Sequence, residues 1–377
     1  MKLAFGIFKY FPHGGLQRDM MRIAAEAVRR GHRVTVYAIS AEGEIPAGVK
    51  LELLPVSGWS NHGRAKRFAA ALRRKFEAEK PDLFFAFNRM PGADLYFAAD
   101  NCFALSAQRH PALVRKLLPR YRTFLAFEEA IFTPEAKTVI LYLTPGQLRD
   151  FQQVYHTPAE RFRLLPPGIP ADRRRPEHPG PVREAKRSEF GIAADEILLI
   201  QVGSGFRTKG VDRSLRAVAA LPEELKKRTR LLVAGRDSGN TCPKLAASLG
   251  ISNRVIFAGG RDDVGALLLA ADLLIHPARN EATGTVLIEA LAAGTPVMTT
   301  ANCGFANYVA ESGGIVIPAD PFEQETFDRE LAAALSTPGR LEQLKQLAID
   351  YGAQADFYRR AEAAVDYIEE AAHAGNR

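Results

Sequence analysis

The chain has 377 residues, 47% hydrophobic and 25% charged, a composition typical of globular proteins. Its length excludes a single ordinary core and favours two domains of roughly 150–200 residues. No apolar run approaches the ~20 residues of a membrane span, and the apolar stretch at 3–8 is too short for a signal peptide. The formal net charge of +7 fits either a soluble basic protein without an anionic partner or one that binds such a partner: a nucleotide, a nucleic acid, an acidic lipid or a polyanionic acceptor. Three scattered cysteines without metal-ligand spacing predict buried thiols in a reducing cytoplasm.

Apolar, strand-like runs alternate with segments of helical periodicity. In the first half, strands are predicted at 2–8, 33–39, 82–87 and 138–143, and helices at 16–30 and 65–79. Each gap between strands is long enough for a crossover helix, which predicts a parallel, doubly wound sheet.

A proline-rich, basic stretch at 166–181 is the predicted linker. Beyond it, strands are predicted at 197–202, 230–234, 255–258, 272–276, 296–299 and 315–318, and a helical end at 340–373. We therefore expect an α/β protein with two Rossmann-like domains, 1–168 and 169–355, and a C-terminal helix at 356–377 that packs back on the first. Two such domains that face each other leave a cleft at the carboxyl ends of their strands, where such folds bind ligands.

A glycine turn follows the first predicted strand of each domain. Gly14 and Gly15 open a helix, an arrangement that aims free N–H groups at negative charge. In the second domain the turn runs from 203 to 210 and fails the dinucleotide fingerprint, because its third glycine is displaced. Arg207 and Lys209 in this turn suit a diphosphate.

The most specific pattern is Glu281 and Glu289 with seven residues between them. A helix that begins near Gly284 would leave Glu281 in the preceding loop and Glu289 about one and a half turns inside. The N–H groups of residues 284–286 would then form the helix N-terminus. The element would thus offer carboxylates to hydroxyl groups and N–H groups to a pyrophosphate.

This segment resembles the E-x7-E signature of retaining GT-B glycosyltransferases. The whole chain resembles, more closely, the bacterial lipopolysaccharide core heptose α-1,3-glucosyltransferases. The motifs that carry this resemblance lie at 9–12, 14–19, 61–62, 87–92, 96–100, 161–169, 209–214, 260–261 and 271–274. The resemblance implies a GT-B fold of two facing Rossmann-like domains with an interdomain cleft, in which domain 1–168 binds the acceptor and domain 169–355 binds the nucleotide-sugar. It also implies transfer of a hexose, with glucose favoured, from a UDP-sugar to inner-core heptose with retention of configuration.

The resemblance also implies roles for individual residues. Glu281 would contact the donor sugar and Glu289 the ribose, and residues 260–262 would hold the uracil. The expected catalytic residues are Glu281, Lys209, Arg173 and Asp100. The expected donor- and nucleotide-binding residues are Gly15, Asp19, Arg207, Lys209, Gly260, Arg261, Asp262, Gly284, Thr285, Val286 and Glu289. Of these, Gly15 and Asp19 would also line the acceptor side with Asp100.

Two features bear on the donor and on the metal requirement. Thr283 and Thr285 stand where the glucose-using enzymes are expected to have smaller or apolar residues, which keeps a UDP-N-acetylhexosamine donor as an alternative. No two aspartates are two positions apart, so the Asp-x-Asp metal motif is absent. Catalysis without metal or cofactor is therefore predicted, with Arg173, Lys209 and the helix end at Gly284 in place of the ion.

The segment 108–122 contains five basic residues and no acidic one, and it is interleaved with aliphatic and aromatic residues. The basic residues are Arg109, Arg115, Lys116, Arg120 and Arg122. This pattern favours a helix at an anionic membrane surface, and a phosphorylated lipopolysaccharide core is an equally suitable partner. A half-buried helix with a solvated basic face is the alternative. The similar enzymes imply a peripheral position on the cytoplasmic face of the bacterial inner membrane.

Two other functions remain as alternatives. A Rossmann enzyme that uses NAD would explain both domains, but it leaves the glutamate pair and the failed fingerprint unexplained. A nucleic-acid-binding protein would explain the charge, but the basic residues match no known base-reading module, so no nucleic-acid partner is expected.

Overall fold

The computed structural model of the chain describes residues 1–11, 14–108, 110–237 and 239–375. Internal contacts divide the chain into two compact units. Unit 1 comprises Met1–Gly168 and Tyr358–Arg377, and unit 2 comprises Ile169–Phe357. Each unit is built on one parallel sheet flanked by helices, which confirms the predicted pair of Rossmann-like domains.

Unit 1 contains a seven-stranded sheet of order β3-β2-β1-β4-β5-β6-β7. Its elements are β1 (Lys2–Tyr10), α1 (Gly15–Arg29), β2 (Arg33–Ala41), β3 (Val49–Leu53), α2 (Asn61–Glu79), β4 (Leu83–Ala86), β5 (Leu95–Ala98), α3 (Phe103–Gln108), α4 (Ala112–Leu117), α5 (Pro119–Phe132), β6 (Val139–Tyr142), α6 (Pro145–Tyr155) and β7 (Phe162–Leu164). The sequence pattern predicts β1, β2, β4 and β6, whereas β3, β5 and β7 appear only in the structure.

Phenylalanine rings from the central strands fill the core of unit 1. Phe5, Phe85, Phe87 and Phe97 are fully or almost fully buried. The Phe85 and Phe87 ring centroids are 4.4 Å apart, and Phe87 lies 5.4 Å from Phe97. Strands buried on both faces explain why the sequence shows continuous apolar runs rather than alternation.

Unit 2 contains a six-stranded sheet of order β10-β9-β8-β11-β12-β13. Its elements are α7 (Gly180–Glu189), β8 (Ile197–Val202), α8 (Phe206–Lys209), α9 (Val211–Ala220), α10 (Glu223–Lys227), β9 (Thr229–Ala234), α11 (Thr241–Ser248), β10 (Val255–Gly259), α12 (Val264–Ala270), β11 (Leu273–His276), α13 (Thr285–Ala293), β12 (Val297–Thr300), α14 (Ala306–Glu311), β13 (Ile315–Ile317), α15 (Gln324–Ser336) and α16 (Arg340–Gln354). All six strands predicted for this half of the chain are present.

The C-terminal segment contains two helices. Helix α16 ends at Gln354, and α17 (Arg360–Gly375) begins after a short break. Gly352 of α16 lies against α13, where a Cβ would come within 2.1 Å of the Leu291 carbonyl oxygen. In unit 1, Arg30 of α1 pairs with Asp366 of α17 at 2.7 Å. The two helices thus belong to different units.

Candidate active site

The turn after β8 places Lys209 at the carboxyl edge of the unit 2 sheet. Gly210 closes the turn with a φ of +72°, and a Cβ there would lie 2.0 Å from the Pro277 carbonyl oxygen. Only glycine fits a position with both constraints. The buried amide of Gln201 donates to the Lys209 carbonyl at 2.7 Å, so the backbone that carries Lys209 is fixed from the sheet.

Glu281 shares one carboxylate oxygen with two neighbours. Its Oε2 accepts a hydrogen bond from Lys209 Nζ and lies 3.2 Å from His276 Nε2. Burial of Glu281 opposes ionisation, but the His276 hydrogen bond and the Lys209 charge outweigh it and lower the pKa to about 2. Glu281 is therefore a largely buried but ionised carboxylate at neutral pH, and its Oε1 has no partner among the described side chains.

His276 is fully buried at the end of β11. Its Nδ1 has no hydrogen-bond partner in the described part of the chain. Because an ionised carboxylate only accepts hydrogen bonds, the proton between the two side chains sits on Nε2. His276 therefore does more than fill the core: it orients and stabilises Glu281.

Backbone hydrogen bonds hold the Glu281 loop in place. Residue 281 forms an isolated bridge with Cys303. The Gly304 N–H donates to the Glu281 carbonyl at 3.2 Å, and the Phe305 N–H donates to the Thr283 carbonyl at 2.7 Å. The loop is thus paired like a short strand, which fixes the carboxylate before any ligand binds.

Helix α13 begins directly after this loop. Gly284 is its N-cap with a φ of +80°, and no side chain caps the helix end in the described structure. Its first residues, Thr285 and Val286, therefore present the positive end of the helix dipole next to Glu281. The helix start agrees with the sequence prediction to within one residue.

Glu289 lies inside α13, next to Arg173. The Arg173 Nε is 3.6 Å from Glu289 Oε1, and Arg173 Nη1 is 3.7 Å from Asp172. Arg173 occupies a short 3₁₀ turn at Ala171–Arg173, within the predicted linker. The sequence does not predict that the diphosphate-binding candidate and the ribose-binding candidate lie side by side.

Arg207 in the turn after β8 contacts Arg279 in the loop after β11. Arg207 is exposed, and its carbonyl accepts a hydrogen bond from Arg279 Nη1 at 2.9 Å. Arg279 also makes a bidentate pair with Asp212, at 2.7 and 2.8 Å. Sequence reasoning missed Arg279, although its position two residues before Glu281 was a usable signal.

Residues 260–262 follow β10. Arg261 pairs with Asp263 at 2.6 Å and with Glu189 of α7 at 2.8 Å. The hydrogen bonds from Arg261 and Lys186 hold the pKa of the Asp263 carboxyl well below its ordinary value. Gly260 and Asp262 are exposed, and a Cβ on Gly260 would lie 2.5 Å from Arg236 Nε. Because the Arg261 side chain is paired with Asp263 and Glu189, the backbone of residues 260–262 is better placed than that side chain to bind a ligand.

In unit 1, Asp19 pairs with Arg360 of α17 at 2.7 Å. Arg360 is buried, and its Nε also donates to the Pro166 carbonyl at 3.0 Å. The Asp19 carboxylate therefore anchors the C-terminal helix. Gly15, the first residue of α1, has open space where a Cβ would stand.

Asp100 follows β5 and is exposed, with Arg89 Nη1 at 3.6 Å. Behind it, Arg89 Nε lies 2.8 Å from the fully buried carboxylate of Glu128 on α5. Glu128 also accepts hydrogen bonds at 2.8 Å from the N–H groups of Phe103 and Ala104. Sequence reasoning missed this carboxylate, which ties the start of α3 to the loop that carries Asp100.

The basic segment is three helices, α3, α4 and α5, and not one helix across 108–122. The Pro111 and Pro119 rings interrupt the pattern, because proline cannot continue a helix. Arg120 and Arg122 are exposed, as are Leu113 and Leu117. Arg109 lies outside the described residues; Arg115 and Lys116 lie on α4, but their side chains are also outside that description.

The described residues contain neither a metal-binding cluster nor a membrane-spanning helix. No three His, Cys, Asp or Glu side chains are grouped as a metal site would require. No helix in this part of the chain has the length and apolar character needed to cross a bilayer. All three cysteines are free and buried, as the sequence predicts.

Comparison with known proteins identifies the family. Residues 13–173 match the model of Glycosyltransferase Family 4, and residues 182–351 match that of Glycosyl transferases group 1. The chain is 44% identical over 368 residues to the lipopolysaccharide glucosyltransferase WaaG of Escherichia coli (strain K12), covering 98% of each chain. This chain is a GT-B glycosyltransferase of the WaaG family. A D-inositol 3-phosphate glycosyltransferase of Saccharomonospora viridis is 26% identical, over 95% of this chain and 89% of that protein.

Solved structures agree with this family membership. A crystal structure of WaaG matches with a TM-score of 0.90 and 44% identity, over 97% of this chain and 99% of that one. A structure of Anabaena HepE with UDP and glucose matches the fold with a TM-score of 0.75 at 17% identity, over 98% and 100%. Membership of a transferase family also makes the NAD-dependent and nucleic-acid-binding alternatives unnecessary.

Proposed function

We propose that this enzyme transfers glucose from UDP-glucose to a heptose of the lipopolysaccharide inner core, with retention of anomeric configuration. The identity of 44% with a lipopolysaccharide glucosyltransferase supports glucose as the transferred sugar and lipopolysaccharide as the class of acceptor. The observation that carries the chemistry is the buried, ionised Glu281 held by Lys209 and His276 next to the N-terminus of α13. The UDP-sugar is a co-substrate, and no cofactor is part of the proposal.

The reaction breaks the bond between sugar C1 and the β-phosphate oxygen. An acceptor hydroxyl bonds to C1 on the same face, and its proton passes to the departing phosphate oxygen. Lys209 and the α13 N-terminus stabilise the negative charge that develops on the leaving UDP. The Glu281 carboxylate accepts hydrogen bonds from donor-sugar hydroxyls and favours the positive charge that develops at the ring.

The same groups support catalysis without a metal ion. Lys209 and the helix dipole supply positive charge where a divalent ion would otherwise stabilise the leaving diphosphate. Arg207 lies at the same turn and is exposed. Arg173 is beside Glu289, so we propose that it reaches the diphosphate while Glu289 binds the ribose.

A UDP-N-acetylhexosamine is the second candidate donor. Thr283 and Thr285 flank the glycine N-cap of α13, and both are half-buried. A hydroxyl group at this position can hydrogen-bond an acetamido group as well as a sugar hydroxyl.

We also propose that the enzyme acts at the cytoplasmic face of the inner membrane. The exposed side chains of Arg120 and Arg122 lie close in sequence to exposed Leu113, Leu117 and Leu118. Exposed cationic and apolar groups on two consecutive helices, α5 and α4, suit an anionic lipid surface.

UDP release tests the reaction. The purified enzyme is incubated in EDTA with UDP-glucose, UDP-galactose, UDP-GlcNAc or UDP-GalNAc, with and without a heptose-terminated core acceptor. We expect acceptor-stimulated release from UDP-glucose. UDP release only after metal addition would contradict metal independence. Acceptor-stimulated release from UDP-GlcNAc or UDP-GalNAc alone would show that the donor is a UDP-N-acetylhexosamine and not UDP-glucose. An enzyme that binds no UDP would refute the proposal.

The variant Glu281→Gln tests the role of the carboxylate. We expect a loss of kcat of about 10²–10³-fold with nearly unchanged donor affinity, because the charge acts mainly in the transition state. Glu224→Gln, an exposed carboxylate of the same unit, is the control. An equal loss of kcat in both variants, or a loss confined to donor affinity, would contradict this role.

A further inference from the structure

Unit 1 contains a cavity of about 370 Å³ at the carboxyl ends of its central strands. Lys9 at the end of β1 and Asn88 just after β4 line it. In the sheet order β2-β1-β4, the chain leaves β1 towards β2 on one side and returns on the other side as β4. The cavity therefore lies at a topological switch point, where open parallel sheets bind ligands, and its volume is within the usual range of roughly 300–1,000 Å³.

Two cations line this cavity without an acidic neighbour. Lys9 is exposed and Arg64 on α2 is half-buried. No carboxylate lines the cavity, and neither cation forms an ion pair within the described residues. Both groups are therefore available to an external anion.

The remaining polar groups are held in place by the backbone. The Asn88 Oδ1 accepts the Phe8 N–H at 2.8 Å, which leaves the Asn88 amide nitrogen as a donor. Gln17 donates to the Lys9 carbonyl at 3.1 Å, and Asn61 opens α2 at the rim. These amides match sugar hydroxyls, which both donate and accept hydrogen bonds.

One wall of the cavity is aromatic. Phe124 reaches it from α5, the helix that also carries Arg120 and Arg122. Its ring packs edge-on against Phe103 at 5.8 Å between centroids, which fixes its position. The cavity thus combines an apolar ring, side-chain amides and two cations. A free phosphate needs only the cations, whereas a saccharide that carries an acidic group can use all three kinds of group.

We propose that this cavity binds the acceptor saccharide through an oxyanion, a phosphate or a carboxylate on a sugar, held by Lys9 and Arg64. Both anions accept charge-assisted hydrogen bonds, and the planar Arg64 guanidinium suits bidentate binding of either. The inference rests on the proposed function for one point only, namely that the saccharide is the acceptor. Lys9 and Arg64 would then select acidic over neutral saccharides.

Calorimetric titration with a heptose-terminated core oligosaccharide tests this proposal on the full chain. We expect Lys9→Met and Arg64→Gln each to weaken binding about tenfold, the loss of one charge-assisted contact. Lys66→Met on the same helix removes an equal charge outside the cavity, and we expect a change below about twofold. The rise in Tm caused by UDP should be the same in all four proteins.

Chemically altered oligosaccharides identify the anion. If the recognised anion is a phosphate, the dephosphorylated oligosaccharide should bind wild-type enzyme and both variants with equal affinity. If it is a carboxylate, the carboxyl-reduced oligosaccharide should bind all three with equal affinity. Three results would each overturn the inference. The variants could bind the oligosaccharide like wild type, they could lose as much affinity for an oligosaccharide that lacks both anions, or the wild-type enzyme could bind no oligosaccharide. Binding that depends on Lys9 and Arg64 without any UDP-dependent transfer would instead refute the proposed reaction and leave this site standing.

Discussion

The ionic groups at the carboxyl edges of the two sheets differ in how they are paired. In unit 2, Glu281 is paired with Lys209, Arg173 lies beside Glu289, and Arg279 is bound to Asp212. In the unit 1 cavity, Lys9 and Arg64 have no acidic partner among the described residues. The inner ions of the first site are paired with each other before a ligand binds, with Arg207 exposed at its outer turn, whereas the second site keeps its positive charge for the ligand.

This difference fits the two proposed substrates. Internal pairs fix the geometry of buried charges and prevent the large cost of an uncompensated one, so they suit a site that must be preorganised for a transition state. The positions of unpaired cations near solvent are not fixed by partners, but such cations attract an anion over a distance and select it by charge. We therefore expect variants in unit 2 to affect kcat, and variants of the unit 1 cavity to affect acceptor binding.

Glu128 is the exception within unit 1, and it gives the largest expected effect. Its carboxylate is fully buried against Arg89, two backbone N–H groups and the Tyr155 hydroxyl. Glu128→Ala leaves Arg89 buried without its partner, which should lower the free energy of unfolding by about 3–5 kcal/mol. Urea denaturation measures the change, with Glu129→Ala, the exposed neighbour on α5, as the control. Equal stability of both variants would show that unit 1 does not depend on buried pairing.

Much of the unit 2 site is predictable from the sequence, because its parts are local. The Glu281 loop, the Gly284 cap and Glu289 all fall within nine residues, so helix periodicity alone places them. The contact of His276 with Glu281 is not predictable, since a histidine at the end of an apolar strand reads as a packed residue. The distance between Arg173 and Glu289 joins elements that are far apart in sequence, and no local pattern encodes it.

Unit 1 is less predictable, for a related reason. Two of its missed strands, β3 and β7, form the edges of the sheet and contain charged residues, so they lack the continuous apolar run of the buried strands. Its Glu128 cluster joins α3, α5, α6 and the Arg89 loop, which only the fold brings together. The cavity likewise combines residues from β1, β2, α1, α2 and α5. The resemblance to known enzymes marks Lys9 and Asn61 as motif residues, but gives no role to either.

His276 tests the preorganisation of the donor site, with a smaller expected effect. His276→Leu removes the hydrogen bond to Glu281, so the pKa of that carboxyl should rise from about 2 towards its ordinary value of 4.5. We expect kcat to fall about tenfold with little change in donor KM, because the carboxylate remains but is no longer oriented. His276→Gln, which retains an N–H donor, should recover most of the loss.

The pH profile separates this positioning role from a structural one. A folded-state pKa below the ordinary value stabilises the protein at pH values above 4.5, and this contribution is lost as the pH falls towards 2. In wild-type enzyme the acid limb caused by Glu281 should therefore lie below about pH 4, and in His276→Leu it should move upward. A fall in kcat without any movement of the acid limb would indicate a structural role alone.

The smallest expected effect concerns the exposed cations of α5, which extend the unpaired charge of unit 1 beyond the cavity. Arg120→Gln should weaken binding to vesicles with anionic lipid about fivefold, since one basic residue near such a surface contributes about 1 kcal/mol. Binding to neutral vesicles, and UDP release with a water-soluble acceptor, should be unchanged. Co-sedimentation at low and high salt measures the effect, with Arg329→Gln of unit 2, also exposed, as the control. If Arg120 and Arg329 contribute equally, the attraction is a property of the whole charged chain, and the contrast between the two units does not extend to the membrane.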